Sequence, residues 1–162
     1  MQLLPITLLS DERQEVISHP CCGEVLEMFR LLYTRQGFTP PWIGYFMSRN
    51  GQIAGACGFK NVPVNGKVEI AYWTFREFEH QGIASEVCGE LVRLARVSDP
   101  WIVVTARTCS LYNTSSRVLR KNGFVHTDMA FDDECQDIFE WTCQSSKTDK
   151  HEAKTEPHHA RG

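Results

Sequence analysis

Apolar residues recur along this chain in two rhythms, one of period two and one of three to four, and the two alternate from end to end. Residues 2–9 are a short apolar run that reads as a first strand. Over 21–36 the apolar positions return at helical spacing, in EVLEMFRLLY above all, and Gly37 and Pro40 stop the pattern. The stretch WIGYFMSRNGQIAGACGF predicts two strands joined at Asn50-Gly51, because a two-residue hairpin turn needs positive φ at both central positions. A polar loop holding Pro63 and Gly66 leads into VEIAYWTF, the next strand.

Beyond it the texture changes. Residues 83–97 carry Val87, Leu91, Leu94 and Ala95 along one helical stripe. WIVVTAR is short and rich in β-branched residues, as a buried strand should be. A helix over 115–122 ends at Gly123, a natural left-handed stop, and strands follow over 124–130 and 137–142. Antiparallel hairpins followed by a helical crossover define an α+β (mixed α/β) chain: a mostly antiparallel, twisted central sheet with helices on both faces. Residues 1–143 are expected to form a single domain. Residues 144–162, without a large apolar side chain, form an expected disordered polar tail.

Composition narrows the classes. A chain of 162 residues with 42% hydrophobic and 23% charged residues has the make-up of one soluble domain. The net charge of −3, with no basic cluster outside the tail, argues against nucleic acid as a partner. No apolar run reaches membrane-spanning length, and MQLLPITLLSDERQ lacks a basic leader, so a cytoplasmic protein is expected. Seven scattered cysteines, an odd number, read as reduced thiols used mainly as small core residues. The three histidines of the tail read as solvated side chains, and no metal is called for.

The stretch HQGIASE, residues 80–86, raises the first chemical question. Its glycine lets the main chain approach a ligand, and Ala84 and Ser85 leave the first helical turn uncrowded. Unpaired amides there, at the positive end of the helix dipole, make an anion site. A plain strand-to-helix turn is the competing reading.

Context separates the two. Glu79-His80-Gln81-Gly82-Ile83-Ala84 after a central strand resembles the pyrophosphate loop of the GNAT N-acetyltransferase superfamily, Gln/Arg-x-x-Gly-x-Gly/Ala. The flanking EIAYWTFREFE, with SSRVLRKNGF downstream and GACGF upstream, is most similar to the ribosomal-protein alanine/serine N-acetyltransferase subgroup. The resemblance spans residues 2–142. It departs from the pattern at two places: Glu79 replaces the usual Gln or Arg, and the asparagine expected three residues before Ser115 falls on Tyr112, with Asn113 one place late.

The resemblance implies acetyl-CoA as donor and a primary amine as acceptor, joined directly without an acyl-enzyme. It implies coenzyme contacts from Trp73, Thr74, Phe75, Glu79, His80, Gln81, Gly82, Ile83, Ala84, Ser85, Asn113 and Ser115, with backbone amides around Trp73 to Phe75 facing the thioester oxygen. The tyrosine that many members place four residues before Gly-Phe is Leu119 here, and Ser115 becomes the candidate to protonate the departing thiolate; a helix cap is its other reading.

For the amine's proton, Glu69 on the central strand is the candidate base. Alternation sets Glu69, Ala71, Trp73 and Phe75 on one face, and apolar neighbours there would raise the carboxyl pKa. Pairing with a cation is the plainer reading. Arg117, Arg120 and Lys121 share a helix face and could meet phosphate of the CoA nucleotide, though by default they read as solvated. The four tryptophans read chiefly as core, Trp42 and Trp73 doubling as walls of the acceptor cleft.

Acceptor loops are expected around residues 21–40, 60–66 and 131–136. Asp132, Asp133 and Glu134 make the last acidic, which favours a cationic acceptor or is simply a solvated turn. The acceptor is a protein N-terminus or a small amine. The alternative to an enzyme is an acyl-CoA-binding sensor or weakly active paralogue. Acyl transfer through Cys88 or Cys109 would need a neighbouring base. Sheet edges of this architecture can pair two copies into a homodimer.

Overall fold

The computed structural model describes residues 1–8, 19–131, 133 and 137–145. Seven strands, β1 (Gln2–Pro5), β2 (Gly44–Arg49), β3 (Gln52–Phe59), β4 (Lys67–Thr74), β5 (Val103–Thr108), β6 (Phe124–Ala130) and β7 (Ile138–Cys143), form one sheet in the order β1-β2-β3-β4-β5-β7-β6. Every neighbouring pair is antiparallel except β4 and β5. A parallel pair needs a crossover, and helix α2 (Ile83–Ser98) supplies it; α1 (Cys22–Gln36) and α3 (Thr114–Lys121) complete the layers.

The hairpin turn forms where expected, with φ of 52° at Asn50 and 75° at Gly51. The first strand ends at Pro5 rather than residue 9, and residue 9 lies outside the described residues. Helix α3 begins one residue early, because Asn113, not Ser115, is its cap: its side-chain oxygen accepts from the Ser116 amide at 2.8 Å. Of the expected tail, residues 146–162 lie outside the described residues.

Helix α1 is seated on one face of the sheet by Tyr33, whose hydroxyl donates to Ile6 O at 2.8 Å and accepts from the Gly44 amide at 3.0 Å. Helices α2 and α3 cover the other face and are tied together by the Asn122 amide, which donates to Ser85 Oγ at 3.2 Å. Between the layers lies the core, with Phe46, Phe59, Ile70, Phe75, Leu91 and Trp141 essentially inaccessible. The tryptophans divide: Trp141 is core, whereas Trp101 is 82% exposed and Trp73 49%, against the expectation that all serve chiefly as core. A solvent-facing ring at Trp101 follows from its place in the turn before β5.

Among the described cysteines, Cys22, Cys57, Cys88 and Cys143 are buried free thiols, and Cys21 is half-buried and free. Cys109 is disulfide-bonded, so the expectation of seven reduced thiols fails there. Among the described residues no helix is long and apolar enough to cross a membrane.

Candidate active site

Strand β4 positions the site because it loses a neighbour half-way along. Its pairing with β5 covers only Lys67, Val68 and Glu69, whereas its pairing with β3 continues to Thr74. Past Glu69 the edge of β4 toward β5 is therefore open. Lys60 N donates to Glu69 O at 2.9 Å and Phe75 N donates to Ala54 O at 2.8 Å. Main-chain groups alternate sides along an antiparallel strand, so residues 69, 71, 73 and 75 direct theirs to β3. The amides of Tyr72 and Thr74 face the opening. This corrects the expected donor set: the Phe75 amide is occupied and that of Trp73 faces β3.

The opening is continuous with a groove of about 480 Å³ lined by Tyr72, Thr74, Gly82, Ala84, Ser115 and Lys121, among others. Gly82 caps α2 in the left-handed region, φ 75°, and a Cβ built there would meet nothing within 4 Å. Having no side chain, the cap leaves the first amides of α2 without a partner from it. Just before it, His80 holds a φ of 61°, an uncommon conformation for a residue with a Cβ. Arg117 and Lys121 line the groove from α3, while Arg120 turns away to stack over Trp141, its guanidinium carbon 4.8 Å from the ring centre. Thr74 Oγ1 is buried without a hydrogen-bond partner among the described residues, although its side chain borders the groove. Orphan amides, two cations and an unsatisfied hydroxyl suit an elongated, phosphate-bearing ligand with polar groups along its length.

A second cavity, about 590 Å³, lies on the other side of β4 beneath α1. Its described walls are almost wholly apolar: Met28, Phe29, Leu31, Leu32, Phe59 and Trp73 predominate, and Arg35 and Lys60 are the only charged residues among those described. Tyr72 and Trp73 belong to the walls of both cavities. The two spaces meet there.

Of the residues expected from sequence, Trp73, Thr74, Glu79, His80, Gly82, Ile83, Ala84, Ser85 and Ser115 line the groove. Three do not. Phe75 is buried, stacked on the His19 ring with centroids 4.1 Å apart. Gln81 is exposed and donates to Glu77 O at 3.5 Å. Asn113 is the helix cap.

Glu69 does not find the apolar surroundings expected of it. Its carboxylate sits 2.7 Å from Lys60 Nζ and 3.7 Å from Arg107 Nε. The Lys60 contact is an ion pair without hydrogen-bond alignment, since the buried Oε1 has no hydrogen-bond partner. Trp73 lies four residue steps beyond Glu69, about 13 Å along β4.

Sequence reasoning missed Tyr72. Its hydroxyl donates to the Ser115 carbonyl at 3.3 Å, across the groove from strand to helix. Burial, with a smaller push from Cys88, raises its pKa well above the ordinary phenol value and keeps it protonated. Alternation already set Tyr72 and Thr74 apart as the two polar side chains on a face shared with Val68 and Ile70, and that was the available signal. Arg117 and Lys121, candidate phosphate contacts whose default reading was solvation, the usual fate of charge on a helix face, both line the groove.

Neither Cys88 nor Cys109 offers a competing nucleophile. Cys88 is fully buried, with its pKa pushed up to about 12 by desolvation and then by Cys143, and Cys109 is bonded. His126 packs against the rings of Phe139 and Trp141. Among the described residues no three His, Cys, Asp or Glu side chains gather as a metal site. Of the acidic loop, Asp132 and Glu134 lie outside the described residues, and Asp133 is exposed.

A family model described as an acetyltransferase (GNAT) domain matches residues 6–125. No curated protein sequence matches the chain. Solved structures similar to it include the microcin C7 self-immunity acetyltransferase MccE in complex with acetyl-CoA and AMP, at 16% identity over 75% of this chain and 68% of that one, TM-score 0.59. RimL, a ribosomal L7/L12 alpha-N-protein acetyltransferase, is similar at 16% identity over 87% of this chain and 93% of its own, TM-score 0.58. A variant of the spermidine N-acetyltransferase SpeG from Vibrio cholerae is similar at 10% identity over 77% and 76%, TM-score 0.61. At these identities the likeness is one of fold.

Proposed function

The chain belongs to the GNAT acetyltransferase family, and from that premise we propose that it is an acetyl-CoA-dependent N-acetyltransferase acting on a primary amine. One observation carries the reading: the glycine-capped start of α2 and the open edge of β4 border a single groove, which meets a second cavity at Tyr72 and Trp73. Donor and acceptor thus have separate entrances and one meeting point, as direct transfer requires.

When bound, acetyl-CoA supplies the thioester carbonyl that an amine attacks, with the acyl carbon–sulfur bond breaking as the amide forms. Gly82, Ile83 and Ala84 offer main-chain amides to the diphosphate, and Arg117 and Lys121 offer cationic charge. The amides of Tyr72 and Thr74 face the place where negative charge develops. Tyr72 Oη, with Ser115 beside it, holds the proton that the departing sulfur takes up. Among the described residues no carboxylate or imidazole lines the acceptor cavity, so we assign the amine's proton to water and Glu69 to ion pairing.

A second reading, a module that binds acyl-CoA without turning it over, draws on Glu79, an exposed carboxylate at the proposed diphosphate site. Thiol release from acetyl-CoA, measured across peptide N-termini and small amines, tests both. Turnover of any amine above background establishes the enzyme; tight binding with none across the panel establishes the module.

A further inference from the structure

The acceptor cavity has a chemical bias of its own. It is a trough of apolar side chains running under α1 from Trp73 at the groove to Lys60 at its far end. Among the described residues, the charged groups in its wall are both cations, with no carboxylate beside them. Lys60 is held against Glu69, which also faces Arg107, itself 3.6 Å from Glu140. That cluster contains two cations and two carboxylates and is balanced. Arg35, in the last turn of α1, is exposed and makes no ion pair among the described residues. It is therefore the uncompensated charge of the cavity wall.

From this we infer that the acceptor is an amine carried on an extended apolar body with an anionic group at its other end. The amine reaches the Tyr72–Trp73 junction, the body lies along Met28, Leu31, Leu32 and Phe59, and the anion meets Arg35. The inference rests on the acetyl-transfer reading for the position of the amine, and the charge and apolarity of the wall decide the rest. A polyamine fits badly, since its second ammonium would be desolvated against apolar walls and brought up to an arginine. Of the acidic segment expected to attract cations, Asp132 and Glu134 lie outside the described residues.

Three probes of matched length test it on the full chain: 8-aminooctanoate, octylamine and 1,8-diaminooctane, which differ only in the charge at the far end. With acetyl-CoA saturating, kcat/KM should fall in that order, by about three- to tenfold from first to last, the size expected of a partly exposed charge pair made attractive or repulsive. Arg35→Glu should invert the order, with circular dichroism and thermal unfolding verifying its fold. A preference for the diamine in the native protein, equal use of all three, or an order unchanged by Arg35→Glu overturns the inference. Absence of turnover with every probe would sink the acetyl-transfer reading instead. The ligand class is then decided by calorimetry with octanoate and octylammonium: tighter octanoate binding that Arg35→Glu abolishes supports it, and tighter octylammonium binding overturns it.

Discussion

Tyr72, on the central strand, hydrogen-bonds the main-chain carbonyl of Ser115, the second residue of α3, and so ties strand to helix beside the point where the groove meets the acceptor cavity. The contact leaves Ser115 Oγ free of any hydrogen bond recorded among the described residues. Two hydroxyls therefore stand at one place, and they differ in burial: Tyr72 is half-buried and Ser115 exposed.

Partial burial keeps the Tyr72 phenol protonated, and its place at the junction of the two cavities makes it the hydroxyl positioned to donate to a departing thiolate. Tyr72→Phe is expected to lower kcat by roughly 100-fold with acetyl-CoA affinity little changed, and Ser115→Ala by less than about threefold. Steady-state kinetics with calorimetric binding check both. A larger loss from Ser115→Ala would move the proton to the serine.

Gly82 is constrained twice. Its φ of 75° disfavours any residue with a Cβ, at a cost of about 1–2 kcal/mol. The space around its missing Cβ is open because it belongs to the groove. Gly82→Ala should therefore lower Tm by a few degrees with a moderate loss of acetyl-CoA affinity, whereas the β-branched Gly82→Val should lower Tm further and weaken binding by about 100-fold or more. Equal affinities in the two variants would place the ligand away from the glycine.

The hydrophobic pattern made the strands and helices legible because each element buries one face, and burial is what periodicity records. Asn50-Gly51 and Gly123 were readable for a different reason, the φ that each position requires. Three things were hidden. The length over which β4 pairs with β5 is a tertiary fact, and it decides which amides are free. Glu69 looked isolated because Lys60 and Arg107 reach it from neighbouring strands. Asn113 seemed displaced from a ligand position, yet its side chain is committed to the Ser116 amide.

Glu79 places a carboxylate where the family pattern has a neutral or basic side chain, and it borders the groove that holds Arg117 and Lys121. Removing that charge should strengthen the binding of a polyanion. Glu79→Gln is expected to tighten acetyl-CoA binding by about two- to fivefold at low ionic strength, the scale of one exposed charge interaction. The gain should vanish in about 1 M salt, where the Debye length is near 3 Å. Titrations at both salt concentrations decide it, and an affinity unmoved at low salt would turn the side chain away from the diphosphate.

Replacing Glu69 by glutamine separates ion pairing from base catalysis. The carboxylate is mostly covered, with 17% of the side chain exposed, but Lys60 and Arg107 are about half exposed and can turn to water once unpaired. Stability should fall by about 1 kcal/mol in urea denaturation. The pH profile of kcat should keep its shape. Loss of its acidic limb in the variant would restore Glu69 as the base.

Stability should also decline in alkali, for a reason located in the core. Desolvation, aided by Cys21, raises the Cys22 thiol to about 11; desolvation, aided by Cys143, raises Cys88 to about 12. In the unfolded chain a thiol ionises near pH 8.5. Between that pH and the folded values the native state keeps protons that the unfolded state has lost, so stability decreases as pH rises. The contribution is complete below about pH 8.5, and each thiol adds a slope approaching 1.4 kcal/mol per pH unit above it. Cys88→Ala removes one of these groups from a site with no accessible surface. It should carry a constant penalty for lost packing and a shallower alkaline slope than the native chain. Urea denaturation at pH 7, 8.5 and 10 measures both: parallel curves for the two proteins would mean that Cys88 already ionises in the fold, which its burial beside α2's neighbours Leu91 and Val92 argues against.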